Sequence, residues 1–294
     1  MKIVHVGFPK TASTFLQWRV FPLLQGINYI DYRTCREVFQ PIIYSDVLDY
    51  SIDEIKSALS QSTGNTLYSF ESLTGSPFYY KGLGRSNIAK TLKKLGFDKV
   101  IITIRSQEKA IDSYYRQYVV QGGTLSFRNW LDIDNHRPLP QKYFHRGYLQ
   151  YDKLVDVYAS EFGRENILLL TQESLHEDQQ SFIQKISQFT KTTYQTSEAK
   201  RKANESLSNL GISILRLVNH FTFSSVRPFH LISKRISNRL VWKIFAIILD
   251  PYLFRLFSSR SSYVSKYGLE KRIQEYYKGS NESLKKNWGI DFNN

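Results

Sequence analysis

A single cysteine, Cys35, stands among 294 residues, so no disulfide can close within the chain. That scarcity fits a reducing compartment. Long apolar runs are missing as well. The most hydrophobic stretch, VWKIFAIILDPYLF at 241–254, is interrupted by Lys243, Asp250 and Pro251 and is too short to span a bilayer. At the N-terminus one lysine precedes IVHVGF and a Pro-Lys pair follows at once, which is not the pattern of a signal peptide. The expectation is a cytoplasmic protein. No Cys/His/Asp spacing resembles a zinc or iron site, so no metal is expected. Acid is the other shortage: 26 Asp+Glu against 40 Lys+Arg leave a net charge of +14. Such a surplus attracts anions, from nucleic acid and phosphorylated cofactors to anionic lipid and acidic polymers, without choosing among them.

What is present reads as a folded chain, with 41% hydrophobic and 22% charged residues. Four short segments carry the apolar, β-branched or aromatic pattern of buried strands: 2–8, 65–70, 99–105 and 166–171. Helix-period stretches lie between them. SNIAKTLKKLG (86–96) offers Ser86 as N-cap and Gly96 as stop, QEKAIDSYYRQYVV (107–120) runs to Gly122-Gly123, and 148–163 ends in Gly163. From about residue 181 the pattern is mostly helical, clearest at 207–221 and in the last stretch from Leu269. Alternation of strand and helix implies parallel β-α-β units with right-handed crossovers. The expected fold is α/β: a P-loop-like parallel sheet flanked by helices, with a helical C-terminal part. One domain over 1–294, with a core over 1–180 and a helical part over 181–294, is the economical organisation.

The first strand leads into GFPKTASTFLQ, a loop with one lysine and three hydroxyls that turns apolar again. In parallel α/β sheets ligands bind beyond the carboxyl ends of strands, and a helix N-terminus there favours phosphate or sulfate. The residues alone suit two readings equally, an anion seat or an ordinary helix start capped by Ser13 or Thr14. The Walker A spacing fails: counted from Gly7, Ala12 occupies the second glycine position and Ser13 the lysine position. A magnesium-dependent triphosphate site is therefore not supported.

Pro9-Lys10-Thr11-Ala12-Ser13-Thr14 resembles the phosphosulfate loop of sulfotransferases that use 3'-phosphoadenosine 5'-phosphosulfate (PAPS), which commonly reads Pro-Lys-Thr/Ser-Gly-Thr-Thr. Ala12 replaces the usual glycine, so the loop is expected to take a conformation open to L-residues. A second motif strengthens the likeness: Arg105 closes a strand and Ser113 follows eight residues later in the next helix. That pair resembles the family's 3'-phosphate site, with Gln107 where proline is frequent. EFGRENILLLTQESL, KANESLSNLGISILRLVN and EYYKGSNESLKKNWGIDF are similar to later segments of the family.

The resemblance implies in-line transfer of a sulfuryl group from PAPS to a hydroxyl or amine of an acceptor, a carbohydrate or glycoconjugate. It implies Lys10 on the leaving phosphate, Thr11, Ser13 and Thr14 with Pro9 and Ala12 around the phosphosulfate, and Arg105 and Ser113 on the 3'-phosphate. Lys202, in a late basic segment, is a further 3'-phosphate candidate beside the plainer reading of a solvated charge run. LYSFESL places Glu71 after the second strand, as general base by resemblance or as a cap of the turn that follows. Among the histidines, His5 reads as structural, and His136 and His145 as surface residues of a polar loop. Glu173 reads as a cap of the next turn. Residues 225–262 mix Arg and Lys with large apolar side chains. They suit a core helix with a solvated basic face, peripheral contact with an anionic membrane, or an acceptor groove. Two other functions compete. One is a phosphoryl-transfer enzyme. The other is a non-catalytic binder of anionic glycan or nucleic acid, and no ribonucleoprotein or helix-turn-helix signature supports nucleic acid as a partner.

Overall fold

The computed structural model describes the chain except residues 61–63, 76, 78–81, 83, 133–143, 196–205, 224–237 and 293–294. Its centre is a five-stranded sheet of β1 (Lys2–His5), β2 (Asn28–Ile30), β3 (Thr66–Ser69), β4 (Lys99–Ile104) and β5 (Ile167–Thr171). All four ladders are parallel and the order is β2-β3-β1-β4-β5. The chain therefore leaves β1 for the edge strand β2, comes back inward to β3 beside β1, then crosses to the other side and builds outward through β4 and β5. The carboxyl end of β1 lies at that reversal, where open α/β sheets leave a crevice for ligands.

Four of these strands match the segments expected from apolar patterning. β2 was not expected, because Asn28–Ile30 is a three-residue edge strand with no fully buried position. The ladder beside β1 outlasts the strand: Val6 N–H donates to Ile101 O and Phe8 N–H to Thr103 O, each at 2.9 Å. One face of the sheet (Ile3, Leu67, Ile101, Leu170) packs on Leu16, Val20 and Phe21 and on α6 (Gln179–Thr190) through Phe182, Ile183 and Ile186. Alternate residues point the other way. There α1 (Tyr32–Tyr44) brings Phe39 edge-on to Tyr68 at 6.0 Å, α2 (Ile52–Ser60) accepts from the Tyr68 hydroxyl at Leu59 O, and α5 (Tyr151–Phe162) buries Leu154, Val155 and Tyr158.

Helix ends follow their local chemistry, with one change from expectation. Asp31 caps α1 by accepting from the N–H groups of Arg33 and Thr34. α3 (Arg85–Lys94) is entered through Gly84 at φ +76°, so Ser86 lies inside the helix instead of capping it. Its stop at Gly96 (φ +82°) is as expected. α4 (Gln107–Val120) has the expected bounds.

By compactness the chain divides into two units. Unit one is Met1–Ser106, Gly147–Ala199 and Tyr277–Asn294, and it contains the sheet. Unit two is Gln107–Arg146 and Lys200–Tyr276, entirely helical and loop structure among the described residues. Inside unit two, Arg116 is buried and fully engaged. It pairs with Asp112 at 2.9 Å and donates to Leu207 O, Asn209 Oδ1 and Ser261 O, tying α4 to the start of α7 (Asn209–Val218).

Candidate active site

The loop after β1 begins with a glycine in close contact with its neighbours. A Cβ on Gly7 would stand 2.2 Å from Thr103 Oγ1 and 2.7 Å from His5 Nε2. Beyond it, Lys10 (φ +66°) and Ala12 (φ +68°, ψ +20°) are left-handed, whereas Thr11 and Ser13 are not. Alternating signs of φ turn successive N–H groups toward one concavity, an arrangement that binds anions. This corrects the expectation for Ala12: the loop keeps the glycine-favouring conformation, at a strain of about 1–2 kcal/mol for an L-residue. Ser13 then opens a short helix, Ser13–Phe15, continued as π turns over Leu16–Val20.

Beneath the loop runs a buried polar chain. Gln17 Nε2 donates to Ser69 Oγ (3.1 Å), and Ser69 Oγ meets His5 Nδ1 (2.7 Å). His5 Nε2 meets Thr103 Oγ1 (3.1 Å), Thr103 Oγ1 meets Thr11 Oγ1 (2.8 Å), and Thr11 donates to Phe8 O. The Phe8 carbonyl takes the Thr11 proton, and with the neutral imidazole that burial favours, every proton back to Ser69 follows from that end. Ser69 donates to His5 Nδ1, the imidazole carries its proton on Nε2, and Thr103 donates to Thr11. Burial favours the same neutral ring, pushing the His5 pKa down to about 3. His5 is structural, as its sequence position suggested. The Thr11 hydroxyl is spent within this chain, so toward the concavity Thr11 offers its backbone.

Three neighbouring strands bring the remaining groups to the loop. Glu71 follows β3 in the turn Glu71–Thr74, which Thr74 closes by donating to Glu71 O at 3.0 Å. Its carboxyl is instead coupled to Lys10 and Ser13. Burial raises its pKa, against the pull of the Lys10 ammonium and the Ser13 hydroxyl. Ser13 Oγ is itself buried and closes no hydrogen bond of normal geometry. Lys10 and Thr14 are exposed, and Pro9 is half-buried. Arg105, just past β4, reaches back so that Nη1 donates to Lys10 O at 3.4 Å.

Glu173 is the residue whose place the sequence concealed. The turn after β5 is capped by Thr171, which accepts from Ser174 N–H at 3.1 Å, so Glu173 is not its cap. Glu173 Oε1 accepts from Ser106 N–H at 3.3 Å and thereby holds the turn that carries Arg105. The structure thus brings Lys10, Ser13, Glu71 and Arg105 together at the carboxyl edge of β3, β1 and β4. Ser113 is buried two turns into α4, in unit two, and His145 is exposed there. Lys202 and His136 lie outside the described residues.

A parallel sheet with an anion-type loop at its reversal point defines a P-loop-like α/β protein. Comparison with solved structures is more specific. The chain is similar to a sulfotransferase from Alicyclobacillus acidocaldarius, with a TM-score of 0.50 and 16% identity over 68% of this chain and 85% of that one. It also matches a mouse sulfotransferase complexed with PAP (TM-score 0.44, 15% identity, 97% and 88% covered). A third match is retinol dehydratase in a complex with retinol and PAP (0.39, 12% identity, 99% and 83%). The first likeness shows that the chain has a sulfotransferase fold. No protein-family model and no curated protein sequence matches the chain.

Proposed function

We propose that this protein transfers a sulfuryl group from PAPS to a hydroxyl, or an amine, of a carbohydrate or glycoconjugate acceptor. The observation that carries the reading is the meeting of Lys10, Ser13, Glu71 and Arg105 around a loop of alternating φ, on a sulfotransferase fold. The residues fit an anionic phosphosulfate: the backbone forms a concavity of N–H donors, and the buried Ser13 hydroxyl stands at the Glu71 carboxyl beside it. When bound, PAPS supplies the sulfuryl group and a phosphate leaving group. Lys10 and the loop N–H groups stabilise negative charge on that phosphate as the bond to sulfur breaks. Thr14, exposed at the helix start, adds a hydroxyl donor, with Pro9 and Ala12 shaping the rim. Arg105 is assigned to the 3'-phosphate; Ser113 and Lys202 stay candidates for it by the family resemblance alone.

Glu71 takes the acceptor proton as the new oxygen–sulfur bond forms. Its raised pKa strengthens it as a base while the Lys10 charge favours the ionised form. In this reading no metal is needed.

The test is thermal stabilisation by 3'-phosphoadenosine 5'-phosphate (PAP) set against ATP with Mg²⁺. Stabilisation by PAP alone is expected. No shift with PAP at millimolar concentration would remove the donor assignment, and a shift with ATP and Mg²⁺ alone would favour phosphoryl transfer. Transfer of labelled sulfate from PAPS to a panel of glycans then identifies the acceptor.

A further inference from the structure

Among the described residues, eight of the fifteen exposed large hydrophobic side chains fall between Leu240 and Phe257. This segment is one continuous helical rod, Asn238–Ile244, Phe245–Phe254 and Arg255–Phe257, with π geometry in its middle. Its inner side is firmly held within unit two. Asp250 is buried and accepts from Ser208 N–H and Ser208 Oγ at the start of α7, while Arg255 Nε pairs with it at 3.0 Å. Phe245 and Phe254 are buried against each other, their rings 5.7 Å apart.

The outer side is apolar along its length. Leu240, Ile244, Ile248, Tyr252 and Leu256 recur every four residues, a spacing that holds one line on a rod between α and π winding. Ile247 and Phe257 widen the line, at 66% and 75% exposure. Arg239 and Lys243, both exposed, each precede a member of the line by one residue and so border it. No acid opposes them: from 206 to 269 the sequence has nine Lys or Arg and one acid, Asp250, which is buried inward.

We propose that this face seats on an anionic lipid surface. A rigid apolar strip with cationic borders and no exposed carboxylate matches the boundary between acyl chains and negative headgroups. No helix among the described residues is long and apolar enough to cross a membrane, so the rod lies on the surface and does not span it. A glycoconjugate acceptor anchored in that surface would meet the enzyme there, but the docking stands without it.

Flotation with vesicles of phosphatidylcholine, alone or with one third phosphatidylglycerol, tests the assignment. Each basic residue near an anionic surface is worth roughly fivefold, so the mixed vesicles should bind on the order of tenfold or more tightly. Ile247→Glu combined with Phe257→Glu should abolish flotation and keep the thermal midpoint, since both side chains are exposed. If the double variant fails to fold, Phe257→Trp places a fluorophore on the strip itself, and quenching by brominated phosphatidylglycerol beyond that seen in the unaltered protein gives the same information. Wild-type protein that stays unbound at low salt overturns the proposal, as does a folded double variant that binds normally. Sedimentation showing that the strip is covered by a second copy of the chain, with no vesicle binding, also overturns it.

Discussion

The buried imidazole of His5 makes the stability of unit one depend on pH in a calculable way. In the unfolded chain the ring titrates near its ordinary 6.5, and in the fold at about 3. Above pH 6.5 neither state binds the proton and His5 adds no pH dependence. As pH falls below 6.5 the unfolded chain takes a proton that the fold refuses, so stability drops until about pH 3, where the folded ring titrates too. At about 1.4 kcal/mol per unit, the loss is about 2 kcal/mol at pH 5 and about 3 kcal/mol at pH 4. A loss of 2 kcal/mol corresponds to a fall of about 4–8 °C in midpoint for a chain of this scale.

The perturbation is His5→Gln, whose amide keeps one donor for Thr103 and one acceptor for Ser69 but does not titrate. Thermal midpoints of the two proteins, followed by far-ultraviolet circular dichroism from pH 7.5 to 4, should converge as pH falls. The variant starts lower and declines less. Parallel curves would refute the reasoning, because the other titrating groups are common to both.

Other outcomes follow from the site. Glu71→Gln should cut sulfuryl transfer by about 10²- to 10⁴-fold, the range for losing a positioned base. Because burial raises the Glu71 pKa, its ionisation costs stability as pH rises through the folded pKa, so the same variant should melt higher at neutral pH. Unchanged turnover would remove Glu71 from the chemistry. Lys10→Ala should lower turnover by about 10²- to 10³-fold with little change in melting, since the side chain is exposed. Gly7→Ala forces a methyl group into Thr103 and His5 and should destabilise by about 1–3 kcal/mol in denaturant titration. Asp250→Ala strips the Ser208 N–H of its acceptor and should cost about 2 kcal/mol, read in the same assay.

Much of the sheet was legible because its central strands are buried on both faces and read as short apolar runs. β2 escaped because it has only three residues and no fully buried position, whereas β5, at the other edge, carries the apolar run Ile167–Leu170. Its three residues are held by pairing with β3, a contact the local sequence does not encode. The position of the anion loop was legible from its strand, its lysine and its hydroxyls. Its backbone was not. Ala12 argues for ordinary φ, yet it is left-handed in the fold, within a loop that the Thr11 to Phe8 O bond helps to hold. Proximity of Glu71 to Lys10 could be anticipated from strand order. That Glu173 holds Ser106 could not, because the two are 67 residues apart and meet only when β5 pairs with β4. The assignment of hydroxyls to ligand or to scaffold was likewise invisible: Thr11 and Ser13 are alike in sequence, and only the fold turns one toward Thr103.

The hydrogen bonds from Gln17 to Phe8 all point one way, and the whole set cannot be reversed because a carbonyl has no proton to return. Loss of any one side chain leaves its neighbours without a partner, so single changes should be purged and compatible ones should arrive together. In descendants and relatives of this protein, Gln17, Ser69, His5, Thr103 and Thr11 should therefore drift as a linked group. A lineage that has replaced His5 by a residue unable both to donate and to accept should carry altered partners at Ser69 or Thr103 as the record of that change.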